Sequence, residues 1–458
     1  MAREEPQINQ SSINVAIRLR PLNNRESSSS KDNEDRAWRA LPETNSIVQL
    51  VSTPKKASSS PKLSSTTSPV KDPFCPAVSI PQGGGGGNSS SVLFTFDRTF
   101  GEDATTEDVY NSVAKGIVNG VVSGINGTIF AYGQTSSGKT FTMQGSQEDN
   151  EIDGNPSRDG IIQMAARDIF AHVSSNHHDP HREYLVRISF LEIYNEQVRD
   201  LLSQNERESL AVREDPKRGV VVNCKEVVVT DLASLLNVLR EGEKHRQVAF
   251  TDMNATSSRS HTIFRVTVES REAGVGVYDG RDTCDDEDGT VLISTLNLVD
   301  LAGSESVKHT GATGQRQREG GMINQSLLSL SQVINTLASS KKQFVNYRDS
   351  KLTRLLQPSL SGNALMSIIC CVTPSRHHIE ETKSTLKFAA RAKLVKVKAQ
   401  KNEVIGVRVL VKRLQKEMTK LRKDMEEQKK KLKKQRRELK LNGVINFGTC
   451  VVVALLLL

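Results

Sequence analysis

One short loop constrains the fold of this chain more than any other feature of its sequence. Residues 133–140 read GQTSSGKT, which fits the pattern G-x-x-x-x-G-K-T. The residues before it, 128–132 (TIFAY), are β-branched and aromatic, as in a buried strand that leads into such a loop. Glycines at both ends let the backbone curl so that several N–H groups point at phosphates. The pattern therefore predicts a phosphate-binding loop that follows a strand.

The last two residues of this loop suit a nucleotide and its metal ion. Lys139 carries a mobile positive charge for the outer phosphates, and the Thr140 hydroxyl is placed to ligate Mg²⁺. The candidate nucleotide-binding residues of the loop are Gly133, Gln134, Thr135, Ser136, Ser137, Gly138, Lys139 and Thr140.

Two later segments would complete a hydrolytic site. Residues 291–301 read as a strand that ends in Asp300, and an acidic residue at this place is a Mg²⁺ partner in nucleotide hydrolases. Gly303 can offer an unhindered N–H to a terminal phosphate. Residues 254–261 (NATSSRSH) combine hydroxyls, an amide and an arginine that can orient water and bind Mg²⁺. Alone such a cluster more often forms turns, but together with the loop it predicts hydrolysis.

The composition indicates a reducing compartment and one basic segment. The six cysteines include no C-x-x-C pair, so neither a zinc site nor a disulfide framework is expected. The first ten residues lack an apolar core, so a secretory signal peptide is not expected. Residues 411–440 hold 14 Lys or Arg and 5 Asp or Glu, which equals the net charge of +9 of the whole chain. Such a segment favours an acidic protein surface, a membrane or nucleic acid, unless it is a solvated helix face.

Strands and helices alternate around the phosphate loop, which predicts an α/β fold with a mixed central sheet. The predicted strands span residues 13–22, 92–100, 184–194, 261–270 and 291–300, and the predicted helices span 106–123, 160–173 and 322–339. Residues 26–91 are rich in serine and glycine and read mostly as a disordered insertion. Within this insertion, Trp38 and residues 47–51 are the candidates for a small ordered strand.

Several motifs, taken together, resemble the kinesin motor domain. They are the loop at 133–140, NATSSRSH at 254–261, DLAGSE at 300–305, RLRP at 18–21, YRDSKLTR at 347–354 and STLKFA at 384–389. The resemblance covers residues 13–393 apart from the insertion. It implies a kinesin-type P-loop NTPase motor domain, in which helices flank a mixed central β-sheet and a neck helix follows. It also implies an ATP-dependent microtubule motor, a microtubule-stimulated ATPase that uses ATP and Mg²⁺.

The resemblance also implies roles for individual residues. Arg18 and Pro21 would flank the adenine, with Tyr110 and Phe141 nearby. Thr140 and Ser258 would be the Mg²⁺ ligands. The candidate catalytic residues are Asn254, Ser257, Ser258, Arg259, Asp300, Gly303 and Glu305.

Two of these catalytic residues would gate the site. By the resemblance, Arg259 and Glu305 would form an ion pair between the two switch segments, and Gly303 would sense the γ-phosphate. An ion pair that closes only over ATP can exclude bulk water and hold the attacking water, which is most of what phosphoryl transfer requires from a protein.

A basic stripe is expected to face the acidic surface of tubulin. Arg348, Lys351 and Arg354 are spaced i, i+3, i+6, roughly one helical face. The candidate microtubule-binding residues are Lys308, Arg316, Arg318, Tyr347, Arg348, Lys351 and Arg354. The alternative is solvated surface charge. Nucleic acid is not expected as a partner.

The segments outside the motor-like body also carry expectations. Residues 1–12 read as an N-terminal extension. Residues 394–410 match the neck linker of the family, which docks on the motor when ATP binds and implies movement toward the plus end. Apolar residues recur at alternating steps of four and three within 411–440, which predicts a basic neck helix and a coiled-coil homodimer. Because the repeat is shorter than four heptads, a single basic helix remains the alternative.

The last segment, residues 441–458, is uncharged and ends in a strongly apolar run. It is either a membrane tail anchor, at the lower limit of length for spanning, or the product of a misread gene end. A membrane is expected as a partner only in the first case.

The neck and residues 323–334 (INQSLLSLSQVI) resemble the centromere-associated kinesin-7 class, and Asn346 agrees with that class. The class implies cytoplasmic microtubules, with the spindle and kinetochore as locations and chromosome transport as a process. Pro358 departs from the family, in which Asp or Asn is usual, and would end the preceding helix early.

Two alternatives to a motor can be weighed from the sequence. A GTPase is disfavoured because the chain has no N-K-x-D motif for reading guanine. A microtubule crosslinker with a silent nucleotide site is disfavoured because Lys139, Thr140, Arg259, Asp300 and Glu305 are all present.

Overall fold

The computed structural model describes most of the chain in two compact units. The described residues are 11–23, 26, 35–50, 78–80, 91–146, 159–174, 182–203, 208–215, 219–253, 257–272, 291–305, 315–339, 343–404, 418–419, 422–423 and 425–433. One unit comprises Met1–Ser270 and Leu292–Glu403, and the other comprises Arg271–Val291 and Val404–Leu458.

Strands and helices alternate along the chain as the sequence predicts. The strands are β1 (Ser11–Ser12), β2 (Asn14–Leu19), β3 (Trp38–Leu41), β4 (Ser46–Gln49), β5 (Val78–Ile80), β6 (Ser91–Thr95), β7 (Arg98–Phe100), β8 (Gly127–Tyr132), β9 (Arg182–Tyr194), β10 (Gln197–Asp200), β11 (Val212–Asp215), β12 (Gly219–Val222), β13 (Val227–Val229), β14 (His261–Glu272), β15 (Val291–Asp300), β16 (Leu365–Val372), β17 (Lys396–Val397) and β18 (Glu403–Val404). The helices are α1 (Thr106–Val109), α2 (Lys115–Val122), α3 (Lys139–Gln144), α4 (Ile161–Ser174), α5 (Leu232–Met253), α6 (Gln315–Ala338), α7 (Lys351–Leu355), α8 (Gln357–Leu360) and α9 (Ile379–Ala392).

The central sheet is mixed, which confirms the predicted fold class. Its strand order is β10-β9-β14-β15-β8-β16-β2-β7, and β13 pairs with β9. The pairs β15–β8, β8–β16, β16–β2 and β2–β7 are parallel, whereas β9 pairs antiparallel with β10 and β13. Parallel strands have their carboxyl ends at one edge of the sheet, where nucleotide sites form in α/β folds.

The phosphate loop leaves a strand that is buried on both faces. Ile129 and Ala131 of β8 pack into a core with α2, α4 and α5, while Phe130 and Tyr132 pack into a second core with α6, α7 and α9. Successive side chains of a strand point to opposite faces, so a run of apolar residues suits a central strand covered by helices on both sides.

A small sheet corrects part of the predicted disorder of residues 26–91, and its strands include Trp38 and residues 47–49 of the small strand predicted there. Residues 35–50 are ordered and contain β3 and β4, which form a four-stranded sheet in the order β3-β4-β6-β5. Trp38, Ile47 and Phe94 are fully or almost fully buried there. Their apolar side chains supply the burial that the serine- and glycine-rich residues around them lack. Residues 51–77 and 81–90 lie outside the described residues.

Several other local predictions can be compared with the structure. The predicted strand at 92–100 is broken into β6 and β7, because the N–H groups of Phe96 and Asp97 leave the strand to bond Asn45 and Val15. The predicted helices at 160–173 and 322–339 correspond to α4 and α6. Pro358 lies in the first turn of α8, after α7 has ended, as the sequence predicts.

The segment predicted to be the neck linker runs along the first unit. β17 pairs antiparallel with β1, and Val395 and Val397 are buried. The N–H of Lys398 donates to the carbonyl of Gly362 at 2.8 Å, and the N–H of Asn402 donates to that of Gly124 at 2.9 Å. The segment is therefore held by its own backbone up to residue 402.

Of the predicted neck helix, the described residues between 418 and 433 are helical. The predicted tail at 441–458 lies outside the described residues. Within the described part of the chain, we find no helix with the length and apolar character needed to cross a membrane.

The single tryptophan tests the order of the small sheet. Trp38 is 0% exposed and its ring lies 6.4 Å from that of Phe94, while its Nε1 has no hydrogen-bond partner. We expect blue-shifted fluorescence that acrylamide quenches poorly, and a loss of about 3–5 kcal/mol in the free energy of unfolding for Trp38→Ala. Trp38→Phe is the control, since it removes no hydrogen bond and should cost much less. Strong quenching in the native protein would contradict the buried position.

Candidate functional site

The phosphate loop turns sharply where β8 ends. Gly133 has φ 148°, and a Cβ at this position would collide with the carbonyl oxygen of Cys371 on the neighbouring strand. The N–H of Ser137 then bonds the carbonyl of Gln134 at 3.2 Å, and α3 starts at Lys139. A residue with a side chain could not make this turn, which is why the pattern begins with glycine.

Lys139 and Asp300 form the electrostatic centre of the site. Asp300 is paired with Ala131 in the parallel register of β15 and β8, so it lies beside the start of the loop. Burial raises the pKa of Asp300, and the charge of Lys139 opposes that shift. Burial lowers the pKa of Lys139, and the charges of Asp300 and Glu305 oppose that shift. Each buried charge therefore helps to keep its partner ionised.

The residues predicted for Mg²⁺ fit a hard cation. The Thr140 hydroxyl donates to Oδ2 of Asp300 at 2.6 Å, while Oδ1 of Asp300 is buried without a hydrogen-bond partner. The Ser137 hydroxyl and Oε1 of Gln134 are buried and unpartnered as well. Buried polar groups are normally satisfied, so these three orphaned atoms indicate a ligand that supplies the missing partners. Oxygen ligands of this kind suit Mg²⁺.

The segment after β15 is held to both other parts of the site. The N–H of Gly303 donates to the carbonyl of Ser258 at 2.9 Å, and the N–H of Ser304 donates to that of Gly133 at 3.1 Å. A Cβ on Gly303 would collide with the Glu305 carboxylate and the Thr135 hydroxyl. The structure thus brings together the phosphate loop, Ser258 and Gly303, which the sequence predicts to be neighbours.

Glu305 binds the phosphate loop directly. The backbone N–H of Thr135 donates to Oε2 of Glu305 at 2.8 Å, and the Thr135 hydroxyl donates to Oε1. Arg259 ends the short helical turn Ser257–Arg259 and is partly buried. The ion pair between Arg259 and Glu305 stays a prediction. Asn254 and the side chain of Ser257 lie outside what the structure describes.

The residues predicted around the adenine lie on two neighbouring elements. The Arg18 guanidinium donates to the hydroxyls of Thr142 at 2.8 Å and Thr106 at 3.0 Å, and it lies 5.3 Å from the centroid of the Phe141 ring. Phe141 is 48% exposed and Pro21 is exposed as well, so both offer an apolar surface to a base.

Tyr110 has a different environment from the other predicted base contacts. Its side chain is 3% exposed and packs in the core beside α4. Its hydroxyl donates to Asp168 of α4 at 2.7 Å. Tyr110 therefore offers little surface to a ligand, and its contact with the adenine stays a prediction.

Arg20 holds the phosphate loop from behind, a role that sequence reasoning missed. Its Nε donates to the carbonyl of Ser136 at 2.7 Å, and its two terminal nitrogens donate to Glu26 at 2.6 and 2.7 Å. Burial alone would raise the pKa of Glu26, but hydrogen bonds from Arg20 and Asn23 lower it overall. The sequence carries one signal for this role: side chains two residues apart on a strand lie on the same face, so Arg20 lies on the same face as Arg18.

A buried ionic cluster lies beside Ser260, the residue before His261. The Arg246 guanidinium is 3.9 Å from Glu192 and 3.6 Å from Glu243, and it donates to the Ser260 hydroxyl at 3.4 Å. The amide of Gln144 donates to Glu243 at 2.7 Å, which links the end of α3 to α5. The sequence carries one signal for this cluster, because Glu192 lies within the apolar run LEIY.

Sequence reasoning also missed the contacts of His261. It lies in the motif NATSSRSH, but its contacts are made by residues far away in sequence. Its ring is 2% exposed, accepts a hydrogen bond from the N–H of Ala302 at 2.9 Å, and lies 2.7 Å from the Ser326 hydroxyl.

The predicted microtubule-binding stripe is only partly helical. α7 begins at Lys351 with Ser350 as its N-cap, so Arg348 lies before the helix and the prediction of one helical face is wrong for it. The exposed Arg348 forms an ion pair with Glu214 of β11 at 2.7 Å. Tyr347, Lys351 and Arg354 are half-buried. Lys308 and the side chains of Arg316 and Arg318 lie outside the described part of the structure.

The β9–β10 turn fixes the start of α7. Glu196 accepts hydrogen bonds from the Ser350 hydroxyl at 2.8 Å and from the N–H of Lys351 at 2.7 Å. A carboxylate at this position satisfies a helix N–H that would otherwise lack a partner and complements the helix dipole. The first turn of α7, where Lys351 lies, is thus held by an acidic residue of the β9–β10 turn.

Comparison with known proteins agrees with this architecture. The family model of the kinesin motor domain matches residues 18–395. A solved structure, described as "Structure of a fast kinesin: Implications for ATPase mechanism and interactions with microtubules", matches with a TM-score of 0.67 and 35% identity, over 86% of this chain and 95% of that chain. The predicted kinesin-type fold is confirmed.

The curated relatives are much longer than this chain. The chain is 46% identical to "Kinesin-like protein KIN-7E, chloroplastic" of Oryza sativa subsp. japonica over 72% of its own length and 26% of the relative's. It is 46% identical to "Kinesin-related protein 4" of Dictyostelium discoideum over 72% of its length and 16% of the relative's. "Kinesin-like protein KIN-7N" of Arabidopsis thaliana is also 46% identical, over 72% of this chain and 38% of its own length.

The relatives that carry KIN-7 names confirm the resemblance to the kinesin-7 class. The matched region includes residues 133–140, 254–261 and 300–305. This chain belongs to the kinesin motor domain family.

Proposed function

We propose that this chain is an ATP-dependent microtubule motor, in which ATP hydrolysis is coupled to movement along microtubules. The observation that supports it most is the meeting of three elements, since Thr140 contacts Asp300 and the N–H of Gly303 contacts Ser258. The similar solved structure is that of a fast kinesin, described with an ATPase mechanism and interactions with microtubules. Because the chain spans only 26% and 16% of the first two relatives, the activity of the whole protein is part of the proposal.

The proposed chemistry follows from what phosphoryl transfer requires. The backbone of residues 133–140 and the Lys139 ammonium would hold the phosphates, while Arg18, Pro21 and Phe141 would hold the base. Thr140 and Ser258 would bind Mg²⁺, and Asp300 would support it. Mg²⁺ would neutralise charge that develops on the phosphate oxygens. The protein contributes positioning and the exclusion of water rather than covalent chemistry.

The segment 302–305 would respond to the terminal phosphate. In the structure the N–H of Gly303 donates a hydrogen bond to the Ser258 carbonyl. To bind a phosphate, this N–H must exchange one acceptor for another, which moves the segment. Glu305 would meanwhile exchange Thr135 for Arg259 and close the site over the attacking water. Each exchange replaces one hydrogen bond by another, so the cost is small.

Removal of the Glu305 carboxylate tests this mechanism. We expect Glu305→Ala to bind ATP with near-normal affinity but to lose about 10²-fold or more in microtubule-stimulated turnover, because the clamp on the attacking water is gone. Steady-state ATPase assays and binding of a fluorescent nucleotide measure the two effects. Glu241→Ala, which removes an exposed carboxylate from α5, is the matched control. Near-normal turnover of Glu305→Ala would falsify the assignment.

The microtubule-binding surface is proposed to lie around α7 and α6. It combines the exposed Arg348, the half-buried Lys351 and Arg354, and exposed apolar residues such as Phe344. Tubulin is acidic, so a basic surface with apolar side chains has the complementary character. Glu214 weakens this surface in two ways, because it pairs with Arg348 and adds a negative charge.

The Arg348–Glu214 pair provides a test in which two substitutions have opposite effects on microtubule binding. We expect Glu214→Gln to tighten microtubule binding by a few-fold, since an exposed pair is weak and its loss frees Arg348 for an acidic partner. Arg348→Gln should weaken binding by a similar factor, and added salt should weaken it steeply in both variants. Co-sedimentation with microtubules measures the affinity. Arg98→Gln, which changes the one exposed residue of the three in β7, is the control. Microtubule binding that does not depend on salt would contradict the electrostatic basis.

The direction and cellular process are finer proposals. The linker at 394–410, which follows the motor-like body in the chain, supports movement toward the plus end, and likeness to the kinesin-7 class supports work on the spindle and in chromosome transport. We propose a location on cytoplasmic and spindle microtubules, including the kinetochore. Gliding of polarity-marked microtubules tests motility and direction together, and movement toward the minus end would overturn the second. Imaging of a fluorescent fusion in dividing cells tests the location.

A homodimer through residues 411–440 is supported by charge as well as by apolar spacing. Met418, Met425 and Leu432 recur every seven residues and are each more than half exposed. In a parallel pair, Glu417 would face Arg422 of the second copy and Asp424 would face Lys429, whereas Lys431 would face Arg436. Two flanking contacts are therefore attractive and one is repulsive. The two attractive pairs favour self-association over a single basic helix, although the repeat is short.

Sedimentation equilibrium measures this association. We expect a monomer–dimer equilibrium that shifts with concentration, because a short coiled coil is weak. Met425→Lys should abolish it, because a charge would then lie in the apolar seam. Thr419→Lys, outside the seam, is the control. A chain that stays monomeric at every concentration would favour the solvated helix instead.

A membrane role for residues 441–458 depends on whether that tail belongs to the protein. The basic segment before it and its apolar end support an anchor. Fractionation of cells that express the chain with and without these residues decides the matter, and an equal distribution of both forms would exclude the anchor.

A further inference from the structure

His261 joins three elements around the nucleotide site. It is the first residue of β14, and it follows directly on the segment that carries Ser258. The N–H of Ala302 donates to Nδ1 at 2.9 Å, and Nε2 lies 2.7 Å from the hydroxyl of Ser326 on α6. One buried side chain therefore contacts the segment after β15 and the helix α6 at the same time.

The two partners decide which ring nitrogen carries the proton. A backbone N–H only donates, so Nδ1 must be the bare acceptor. The proton of the neutral ring therefore lies on Nε2, which donates to the Ser326 hydroxyl. Burial and, second, the charge of Lys139 lower the pKa of His261 to about 3, so the ring is neutral at physiological pH. The ring accepts on one side and donates on the other.

The Ala302 contact lies one peptide away from the contact proposed to sense the phosphate. The N–H of Gly303 donates to the carbonyl of Ser258, three residues before His261. Two consecutive N–H groups are thus held by one short segment. The two N–H groups belong to successive peptide planes that share the Cα of Ala302, and only the φ and ψ angles of that residue lie between them. A displacement of the Gly303 N–H toward a phosphate is therefore expected to displace the Ala302 N–H as well.

A buried ring cannot lose one partner at low cost. With no access to water, an unsatisfied Nδ1 would carry the full penalty of an unpaired buried acceptor. The ring is therefore expected to follow Ala302, and its Nε2–H then pulls on the Ser326 hydroxyl. α6 receives the displacement through Ser326 without any contact to the nucleotide.

We propose that His261 is a positioning residue that transmits the movement of segment 302–304 to α6 through its hydrogen bond to Ser326. This inference rests on the proposed function, because α6 also carries Arg316 and Arg318, two of the candidate microtubule-binding residues. It deepens that function by naming the hydrogen-bonded route between nucleotide state and the track-binding surface.

α6 offers a matched control one turn away. Ser329 is buried like Ser326, but its hydroxyl donates to the carbonyl of Gln325 in the same helix at 2.8 Å. Ser326→Ala and Ser329→Ala therefore remove the same atom from the same face of one helix. Only the first removes the contact to His261. The Tyr132 hydroxyl, hydrogen-bonded with Ser304 and Ser331, keeps α6 attached in both variants.

The first measurement is hydrogen–deuterium exchange over α6 without microtubules. The protein is compared with ADP and with a non-hydrolysable ATP analogue. We expect the exchange of peptides from 322–339 to differ between the two nucleotides in the native chain and in Ser329→Ala. In Ser326→Ala the difference should largely disappear, while Ser326→Thr, which keeps the hydroxyl, should restore it.

The second measurement is steady-state ATPase activity with and without microtubules. Ser326→Ala is expected to keep the basal rate and the KM for ATP but to lose about three- to ten-fold in microtubule-stimulated kcat, the range for one buried hydrogen bond. His261→Asn, which retains an acceptor for Ala302 but not the reach to Ser326, should give a similar loss. The double variant should be no worse than either single one.

Three outcomes separate this inference from the proposed function. If Ser326→Ala and Ser329→Ala behave alike, the contact is ordinary helix packing and the inference is wrong. If the nucleotide-dependent exchange of α6 is unchanged in Ser326→Ala, the route does not run through this bond. If the native chain shows the exchange difference but no microtubule stimulation, the coupling stands and the proposed motor function fails.

Discussion

The parallel pairing of β15 with β8 is the constraint on which the rest of the site depends. Its register sets Asp300 beside Ala131, two residues before the phosphate loop begins. The pairing also continues past the sheet, because the N–H of Leu301 bonds Ala131 and that of Ser304 bonds Gly133. A shift of one residue would turn Asp300 to the other face and remove it from Thr140. The proposed metal site is therefore a consequence of strand register.

The same register explains why backbone groups can act as a switch. Residues 302–304 leave the sheet, with Ala302 and Gly303 buried and Ser304 half-buried, and each N–H finds an acceptor: His261, the carbonyl of Ser258 or that of Gly133. A buried N–H can exchange acceptors at little cost, but it cannot go without one. Two discrete arrangements are then favoured over a continuous drift, which is the property that a nucleotide-dependent element needs.

The sequence predicts correctly those strands and helices that are determined by residues close together in the chain. The apolar strands before the loop and before Asp300 appear as β8 and β15, and the three- and four-residue periodicity of Ile334 and its neighbours appears as α6. Within residues 35–50 only Trp38 and residues 47–51 are predicted to be ordered, because serine and glycine dominate the flanking sequence, whereas the packing of Trp38 depends on Phe94 far along the chain. The spacing of Arg348 suggests a helix, but Ser350 caps the chain two residues later. Contacts between distant segments decide both.

The functional side chains divide in the same way. Lys139, Thr140 and Asp300 belong to motifs whose chemistry is readable from residue type and spacing. Arg20 and His261 stand inside motifs of the family, yet their roles depend on partners that no local pattern names, Ser136 for one and Ser326 for the other. A histidine beside serines gives no hint that its two nitrogens have opposite hydrogen-bonding roles. Only the fold supplies a donor on one side and an acceptor on the other.

The charges of the site support the proposal that ATP binds together with Mg²⁺. Asp300 and Glu305 both act on the single buried Lys139, and behind them Glu192 and Glu243 share Arg246. Arg18 and Arg259, which the proposed site also contains, bring the positive charges level with these carboxylates, and the phosphates of ATP would make the site negative. Like charges brought together in a buried site repel strongly, so a bare nucleotide would be disfavoured. A nucleotide that binds together with a divalent cation would restore the charge balance of the site. The cation would also supply a partner for the unpartnered oxygen of Asp300.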